Sequence, residues 1–297
     1  MLDHSARTLV AGELEAVFLP DRGMLGASLR HRGEELLGRI DELERAAASG
    51  ATAGIPLLHP WANRLGGLRY SAAGRTVELD PGSPLLHLDG NGLPIHGVPW
   101  SRLSFGVTAE REDALSSRLD WATRELLAVF PFPHLLELDV TLDPGGLTVE
   151  TALTPAADVA VPVSFGFHPY FALPGAAREE WVLTLPAMER LEEDSRGIPT
   201  GARTPVASSA APLAERVLDD GFASPSPPRL ELSAAGRRIA VELGQGYSFA
   251  QVFAPESPRV VALEPMTAPA NALSSGDGLR LVEPGDRFVA TFRILVA

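Results

Sequence analysis

Residues 288–296 read FVATFRILV, and their side chains alternate between two kinds. One face is apolar and carries Phe288, Ala290, Phe292, Ile294 and Val296. The opposite face carries Thr291 and Arg293. A period of two is typical of a β-strand that buries one face and exposes the other. The segment therefore predicts a strand in a sheet that covers a hydrophobic core.

The same pattern recurs in short pieces along the chain. Residues 229–244 hold two alternating runs around Ala234-Ala235-Gly236, which predicts a hairpin, and residues 147–154 and 76–80 predict further strands. The 28 Gly and 26 Pro residues are spread along the chain, which indicates many short elements joined by turns. We therefore predict an all-β fold, a large antiparallel β-sandwich with few short helices.

Helical periodicity is weak. Leu36, Ile40, Leu43 and Ala47 would line one side of a short helix that Gly50 could end, and no second convincing helix follows. The chain shows no internal repeat and no linker long enough to divide it. Residues 1–297 are therefore predicted to form a single domain.

Composition excludes several kinds of chemistry. The chain has 25 basic and 38 acidic residues, a formal net charge of −13, which argues against a nucleic-acid partner because phosphate binding needs a basic stripe. It has no cysteine, and all its basic residues are arginine. Thiol nucleophiles, thiolate zinc sites and lysine Schiff bases are therefore excluded. Histidine, carboxyl, guanidinium and hydroxyl groups remain.

The sequence contains no obvious membrane or export segment. The longest run without Asp, Glu or Arg covers residues 159–177, but its three prolines are a poor fit to a spanning helix, so we expect no membrane partner. Residues 1–4, MLDH, carry charge early and no apolar run follows them, so we expect no secretory signal. A cytoplasmic location is the default expectation.

The segment VPVSFGFHPY, residues 161–170, ends in a histidine that could carry chemistry. As a strand it would point Val161, Val163, Phe165 and Phe167 into a core. His168 would then end the opposite face, beside the small residues Ser164 and Gly166. It is either a solvent-facing residue at a strand end or an imidazole with room for a ligand beside it.

Glu264 raises the same question for a carboxyl group. It directly follows the apolar run of residues 260–263, VVAL, and precedes Pro265. Taken alone, this context favours a solvated strand terminus over a group held against apolar walls with a perturbed pKa. Together with His168, however, Glu264 would form a pair suited to proton transfer.

Three further residues could contact a ligand. Arg64 lies in PWANRL, residues 60–65, and its guanidinium suits carboxylates or neighbouring hydroxyls. His96 precedes Gly97, which permits close approach of a ligand to the backbone. Asp219 lies in VLDDGF, residues 217–222, where a simple turn residue is the alternative.

The order of these motifs is more informative than any one of them. PWANRL, IHG at 95–97, GFHPYF at 166–171, DDGF at 219–222 and EPMTAP at 264–269 resemble the pattern of the aldose 1-epimerases, or mutarotases. The resemblance is firmest from residue 54 to residue 271, and GFHPYF and EPMT are fairly specific. It implies a β-sandwich of the galactose mutarotase type and an isomerase. Such an enzyme interconverts the α and β anomers of a free aldohexose by acid/base ring opening and closure.

The resemblance also implies a role for each candidate residue. Glu264 would be the catalytic base and His168 the catalytic acid, with Glu264 ionised and His168 protonated at the start. Arg64 and Asp219 would bind sugar hydroxyls, and His96 would hydrogen-bond near the ring oxygen. The ligand would be a monosaccharide, and the reaction needs no metal and no cofactor.

The chain departs from the family pattern at a few positions. Ala268 and Ala270 stand where Cys and Pro are common, His134 follows FPFP where an aromatic residue is usual, and Pro99 closely follows His96-Gly97. We expect these differences to affect the pocket rim, and with it substrate preference, more than the acid and base.

Stacking on the apolar face of the sugar is a further expectation. Trp61 or Phe253 could supply the aromatic ring, although each also fits ordinary core packing.

Three alternatives remain open at this stage. A hexose-6-phosphate 1-epimerase would need cationic groups near the pocket, for which Arg69 and Arg102 are candidates. A non-catalytic carbohydrate-binding sandwich would keep the pocket without the chemistry. His96, His168 and Glu264 could form a two-His-one-carboxylate metal site, although they lack any local metal-binding spacing. The oligomeric state and the preferred aldose are not predicted.

Overall fold

The computed structural model describes residues 6–257 and 259–297. The segment 1–4, for which no secretory signal is expected, lies outside the described residues.

The chain forms 25 strands and three α-helices within the described residues. In the first half these are β1 (Arg7–Ala11), β2 (Leu14–Leu19), β3 (Leu25–His31), β4 (Glu34–Glu35), α1 (Leu43–Ser49), β5 (Leu57–Leu58), β6 (Arg69–Ala72), β7 (Arg75–Glu78), β8 (Gly106–Arg111), β9 (Ala114–Trp121), α2 (Arg124–Val129), β10 (His134–Asp143) and β11 (Gly146–Pro155). In the second half they are β12 (Val161–Val163), β13 (Gly166–Phe167), β14 (Tyr170–Phe171), β15 (Val182–Leu185), β16 (Ala187–Glu193), β17 (Pro199–Val206), β18 (Ser209–Pro212), β19 (Leu218–Ser226), β20 (Arg229–Ala234), β21 (Arg237–Leu243), β22 (Phe249–Ala254), β23 (Val261–Met266), α3 (Ala272–Ser275), β24 (Arg280–Val282) and β25 (Phe288–Val296). Short 3₁₀ helices cover Pro20–Arg22, Ile40–Glu42, Trp100–Arg102 and Arg178–Glu180.

Two large antiparallel sheets dominate the fold. A nine-stranded sheet has the order β18-β15-β20-β21-β25-β11-β10-β9-β8. An eight-stranded sheet has the order β17-β16-β19-β22-β23-β13-β5, with β14 also paired to β23. A four-stranded sheet, β1-β2-β3-β4, and two strand pairs, β12-β24 and β6-β7, complete the structure.

The two large sheets share one hydrophobic core. The ring of Phe167 in β13 lies 5.0 Å from that of Phe292 in β25, centroid to centroid. The predicted last strand is confirmed, because residues 288–296 form β25 with Ala290, Phe292, Ile294 and Val296 buried. The predicted hairpin is confirmed as β20-β21. The all-β antiparallel sandwich predicted from the sequence is therefore confirmed.

The helices differ in detail from the prediction. Only Leu43–Ser49 is α-helical in the predicted region, while Ile40 begins a 3₁₀ turn and Leu36 lies in extended chain. Gly50 does end α1, at φ 80°, a left-handed conformation that glycine adopts without steric strain. Two further helices, α2 and α3, have six and four residues. They are too short to show helical periodicity in the sequence, which is why they were not predicted.

The segment predicted as one strand over residues 161–170 is interrupted. It forms β12, β13 and β14 in turn, because regular strand structure stops after Val163 and again at His168-Pro169. The expected core residues on it are nevertheless buried, with Phe165 and Phe167 at most 2% exposed.

No helix among residues 6–257 and 259–297 combines the length and apolar character required to cross a membrane.

A buried pair of histidines lies inside the core. His59 Nε2 is 2.9 Å from His134 Nε2, and His134 Nδ1 is 2.6 Å from the carbonyl oxygen of Phe132. A carbonyl only accepts, so His134 carries its proton on Nδ1 and its Nε2 accepts from His59. Both imidazoles are 1% exposed, and burial lowers the pKa of His134 to about 4.

This pair predicts a loss of stability in mild acid. His134 stays neutral in the folded state but protonates in the unfolded state below about pH 6.5, so the unfolded chain binds more protons. We expect about 3 kcal/mol of the free energy of unfolding to be lost between pH 6.5 and pH 4 through this residue. His134→Phe should be less stable at pH 7, because His59 loses its acceptor, but should show a shallower decline toward pH 4. Urea unfolding at several pH values checks this, and parallel curves for the two proteins would contradict it.

Candidate active site

One cavity of about 180 Å³ opens on the eight-stranded sheet. It is lined by Asn63, Arg64, Ile95, His96, His168, Tyr170, Asp219, Phe253 and Glu264. All five residues singled out in the sequence are in this set, although up to 200 positions separate them. The volume is below the ~300–1,000 Å³ of pockets for drug-sized ligands, so the cavity suits a small molecule.

Strand register brings the floor of the cavity together. Gly166 pairs with Met266 and Tyr170 pairs with Ala262, and continuing that register places His168 opposite Glu264. Pro169 and Pro265 lie at this point, and neither has an N–H for the ladder. The ladder is therefore interrupted between the pairs Gly166–Met266 and Tyr170–Ala262. The side chains of His168 and Glu264 nevertheless lie on the same face of the sheet.

The next strands extend this face. Gln251 pairs with Glu264, and Gly221 pairs with Gln251. One row further along, Asp219 pairs with Phe253. Directly opposed residues share a face, so Glu264, Asp219 and Phe253 line the cavity and Gln251 lies beside them on the same face. The alternate residues of β23, Val261 and Leu263, belong to the sandwich core instead.

Two crossing loops supply the wall. Arg64 bridges to Ile95, and the N–H of His96 donates to the carbonyl of Asn63 at 2.9 Å. Asn63 and His96 have φ values of 55° and 64°, in the left-handed region that non-glycine residues seldom occupy. Gly97 follows at φ 68°, and a Cβ there would lie 2.3 Å from the carbonyl oxygen of His59. Only glycine allows this loop to approach so closely.

His168 and Glu264 are in direct contact. His168 Nε2 lies 3.2 Å from Glu264 Oε1, and the two residues are 4% and 1% exposed. Glu264 lies inside β23 rather than at a solvated strand end, so the interpretation that its local sequence favoured is wrong. Its other oxygen, Oε2, is buried and has no hydrogen-bond partner among the described residues. A carboxyl oxygen beside a cavity in this condition is available to a ligand.

Burial determines the charge of this pair. It raises the pKa of Glu264 well above its usual range, and the charge of Asp219 adds to the effect. Burial also lowers the pKa of His168, with a further contribution from His96. Burial therefore favours the uncharged pair, whereas the contact at 3.2 Å favours the expected state, an ionised Glu264 beside a protonated His168. The two states contain the same number of protons, so one transfer between Oε1 and Nε2 converts the neutral pair into the ion pair.

His96 completes the polar wall next to the pair. Its ring lies 5.3 Å from that of His168, centroid to centroid, at an interplanar angle of 83°. Burial, with the charge of Arg64 adding, lowers the pKa of His96 to about 3, so the imidazole is neutral at pH 7. Its buried Nδ1 has no partner among the described residues.

Arg64 lies between two carboxylates. Its Nε donates to Asp89 at 2.9 Å, and its Nη2 is 3.5 Å from Asp219. Asp219 also accepts a hydrogen bond from Gln251 at 2.7 Å, and it lies in β19, so the turn interpretation of this residue is wrong. Gln251 was not predicted from the sequence. The sequence feature that could have revealed it is a single amide side chain within the apolar segment FAQVFA, residues 249–254.

Comparison with known proteins shows the family of the chain. A family model described as aldose 1-epimerase matches residues 12–295. The chain belongs to the aldose 1-epimerase family. YihR, an uncharacterized protein of Escherichia coli K12, is 25% identical over 252 residues, which cover 78% of this chain and 77% of YihR.

Solved structures share the fold of this aldose 1-epimerase family member. The Slr1438 protein of Synechocystis sp. PCC 6803 superposes with a TM-score of 0.82 at 25% identity, covering 99% of this chain and 96% of its own. A galactose mutarotase-like protein of Clostridium acetobutylicum reaches a TM-score of 0.85 at 17% identity, with 98% and 94% covered. At 17% identity, the similarity to the Clostridium protein shows a shared fold and nothing more.

The departures from the family pattern lie away from the cavity. His134, Ala268 and Ala270 are at most 4% exposed, Pro99 is also buried, and none of the four lines it. His134 lies inside the core, where its ring stacks on that of Trp121 with centroids 5.4 Å apart. The expectation that these positions form the pocket rim is therefore wrong.

Of the other residues considered in the sequence analysis, only one lines the cavity. Phe253 lines the cavity, whereas Trp61 is fully buried and does not. Arg69 is ion-paired to Glu78 at 3.3 Å on the β6-β7 hairpin, and Arg102 ends a 3₁₀ helix. Neither arginine is among the cavity residues. Over the described ranges 6–257 and 259–297, no group of three or more His, Asp or Glu side chains has the arrangement of metal ligands.

The burial of Glu264 predicts a stability gain on neutralising it. A carboxyl whose folded pKa is raised stays protonated in the folded state while the unfolded state ionises, so stability falls as pH rises above about 4.5. Glu264→Gln keeps the shape and removes this titration. We expect its melting temperature at pH 8 to exceed that of the wild type by a few degrees, with a smaller gain at pH 5. Scanning calorimetry measures this, with the exposed residue Glu283 (Glu283→Gln) as control. A lower melting temperature for Glu264→Gln at pH 8 would contradict the assignment.

Proposed function

We propose that this chain is an aldose 1-epimerase that interconverts the α and β anomers of a free aldohexose. The single observation that carries the proposal is the contact of 3.2 Å between His168 Nε2 and Glu264 Oε1 at the wall of a small polar cavity. Membership of the aldose 1-epimerase family supports it.

The reaction requires two proton transfers at adjacent atoms. Ring opening removes the proton of the C1 hydroxyl and adds one to the ring oxygen, after which the C1–O5 bond breaks. The aldehyde end rotates and the ring closes on its other face. Both oxygens are bonded to C1, so an acid and a base in contact with each other can serve them together.

Glu264 acts as the base and His168 as the acid for ring opening, and they exchange roles for closure. Burial favours the uncharged pair in the empty cavity, and the ion pair forms by proton transfer from Glu264 to His168 when the sugar binds. Sugar hydroxyls stabilise the ionised carboxylate, since its Oε2 has no other partner. The total number of protons on the pair does not change, and the step needs none from solvent.

The remaining lining residues hold the sugar. Arg64 and Asp219 offer a donor and an acceptor for neighbouring hydroxyls, and Asp219 is oriented by Gln251. The neutral His96 hydrogen-bonds near the ring oxygen. Phe253, on the same floor, is the aromatic ring in position to cover an apolar sugar face.

Loss of either proton-transfer group should remove catalysis. A positioned acid or base contributes about 10²–10⁴-fold. We expect Glu264→Gln and His168→Asn each to lower kcat for mutarotation by this factor with the fold intact. Polarimetry on freshly dissolved α-glucose and α-galactose measures the rate.

A second His–Glu pair provides the matched control. His31 Nε2 is 3.8 Å from Glu13 Oε2 at the protein surface, outside the cavity. His31→Asn and Glu13→Gln should retain wild-type rates. Near wild-type mutarotation by Glu264→Gln or His168→Asn would refute the proposal. Sugar binding by calorimetry with no acceleration in the wild type would establish a non-catalytic carbohydrate-binding sandwich instead.

The charge around the cavity favours an unphosphorylated sugar. Arg64 is the single cation among the nine lining residues, and Asp89 and Asp219 already accompany it. Glu193 lies near the same group, where burial and the charge of Asp219 raise its pKa to about 7. A phosphate dianion would therefore meet carboxyl groups without an unpaired guanidinium.

Comparing glucose with glucose 6-phosphate tests this preference. We expect kcat/KM for mutarotation to be at least about tenfold higher for the free sugar, which corresponds to 1.4 kcal/mol of differential binding. Measurements at low and high salt separate screening from steric exclusion. An equal or higher kcat/KM for the phosphorylated sugar would favour the hexose-6-phosphate 1-epimerase.

A further inference from the structure

Three further residues, Tyr170, Thr52 and Arg39, form a network of polar contacts with His168. The ring of Tyr170 stacks on His168, with centroids 4.3 Å apart and planes at 24°. The Tyr170 hydroxyl is 3.3 Å from His168 Nε2, 2.7 Å from Thr52 Oγ1 and 3.3 Å from Arg39 Nη1. Tyr170 and Thr52 are 2% and 7% exposed, so this network has little access to solvent.

The two hydroxyl groups can serve both protonation states of His168. Arg39 can only donate, so it occupies one lone pair of the Tyr170 oxygen. When Nε2 lacks a proton and Glu264 does not donate to it, Thr52 donates to Tyr170 and Tyr170 donates to Nε2. When Nε2 carries a proton that is not directed at Glu264, Tyr170 accepts from it and donates to Thr52. Rotation of two hydroxyl hydrogens converts one arrangement into the other without any net proton transfer.

The backbone holds this network in place from both sides. The N–H of Gly38 donates to the carbonyl of Tyr170, and the N–H of Tyr170 donates to the carbonyl of Gly54, each at 3.0 Å. Arg39 has φ 61°, a left-handed conformation that is unfavourable for a residue with a Cβ. Its guanidinium carbon lies 5.2 Å from the centroid of the Tyr170 ring, and its Nη2 is 3.2 Å from Glu42. Such conformations concentrate at functional sites.

We propose that Arg39, Tyr170 and Thr52 are positioning residues that orient His168 and provide its Nε2 with a partner in both protonation states. The inference rests on the proposed function, because it assumes that His168 gains and loses a proton during turnover. It adds three residues to the site, only one of which lines the cavity.

The charged and titratable groups around His168 are few. Glu264 and His96 face it across the cavity wall, and Tyr170 and Arg39 lie behind it. Burial is the main cause of its lowered pKa, and the charges of His96 and Arg39 contribute in the same direction.

Four variants test the network by steady-state kinetics. Tyr170→Phe and Thr52→Val each remove one hydroxyl while keeping the shape, and Arg39→Gln removes the cation. Loss of one such hydrogen bond should lower kcat by roughly three- to tenfold, with KM unchanged. Thr52→Ser restores the hydroxyl and should recover the wild-type kcat. Tyr247→Phe is the matched control, because Tyr247 is a buried tyrosine that does not line the cavity.

A second measurement does not depend on activity. The ¹⁵N chemical shift of His168 Nε2 at neutral pH should change in Tyr170→Phe and Thr52→Val and stay unchanged in Tyr247→Phe. The titration midpoint of His168 should move upward in Arg39→Gln, because a nearby positive charge is removed. Unchanged His168 signals in all three variants, or unchanged kcat in all three, would overturn the proposal. If the wild type fails to accelerate mutarotation, the proposed function is rejected, and the His168 signals still decide the network.

Discussion

The contact between His168 and Glu264 depends on desolvation of both groups. A carboxyl and an imidazole at 3.2 Å in water would readily form an ion pair, but these residues are at most 4% exposed and burial favours their neutral forms. The pair therefore holds a proton that the proposed reaction at C1 would use. A polar ligand in the cavity changes the balance between the neutral and ionic states by hydrogen-bonding to the carboxylate.

The sheet and two loops around His168 and Glu264 keep this pair buried. The sheet supplies the floor by register, with Gln251 beside Glu264 and Phe253 beside Asp219. The loops supply the wall, and they do so through left-handed residues such as His96 that only close packing can hold. Charges are kept at the edge, where Arg64 is bonded to carboxylates.

Much of the fold and most of the site could be predicted from the sequence. The two-residue period of residues 288–296 identifies a strand because each side chain alternately faces core and solvent, and the motifs around His168 and Glu264 belong to a recognisable family pattern. Solvation could not be predicted in this way. Whether Glu264 is solvated depends on strands that lie far away in the sequence, and the charge state of the pair follows from that burial. Thr52 and Arg39 carry no local signal at all, since their partner Tyr170 is more than a hundred residues away.

The two faces of strand β23 lie in different environments. Glu264 points to the cavity, and its neighbours Leu263 and Val261 pack into the sandwich core. An insertion or deletion of a single residue here would exchange the faces, bringing leucine to the cavity and a carboxyl group into the hydrophobic core. The cavity face therefore depends on the number of residues in this strand, whereas the inner face requires only aliphatic side chains of suitable volume.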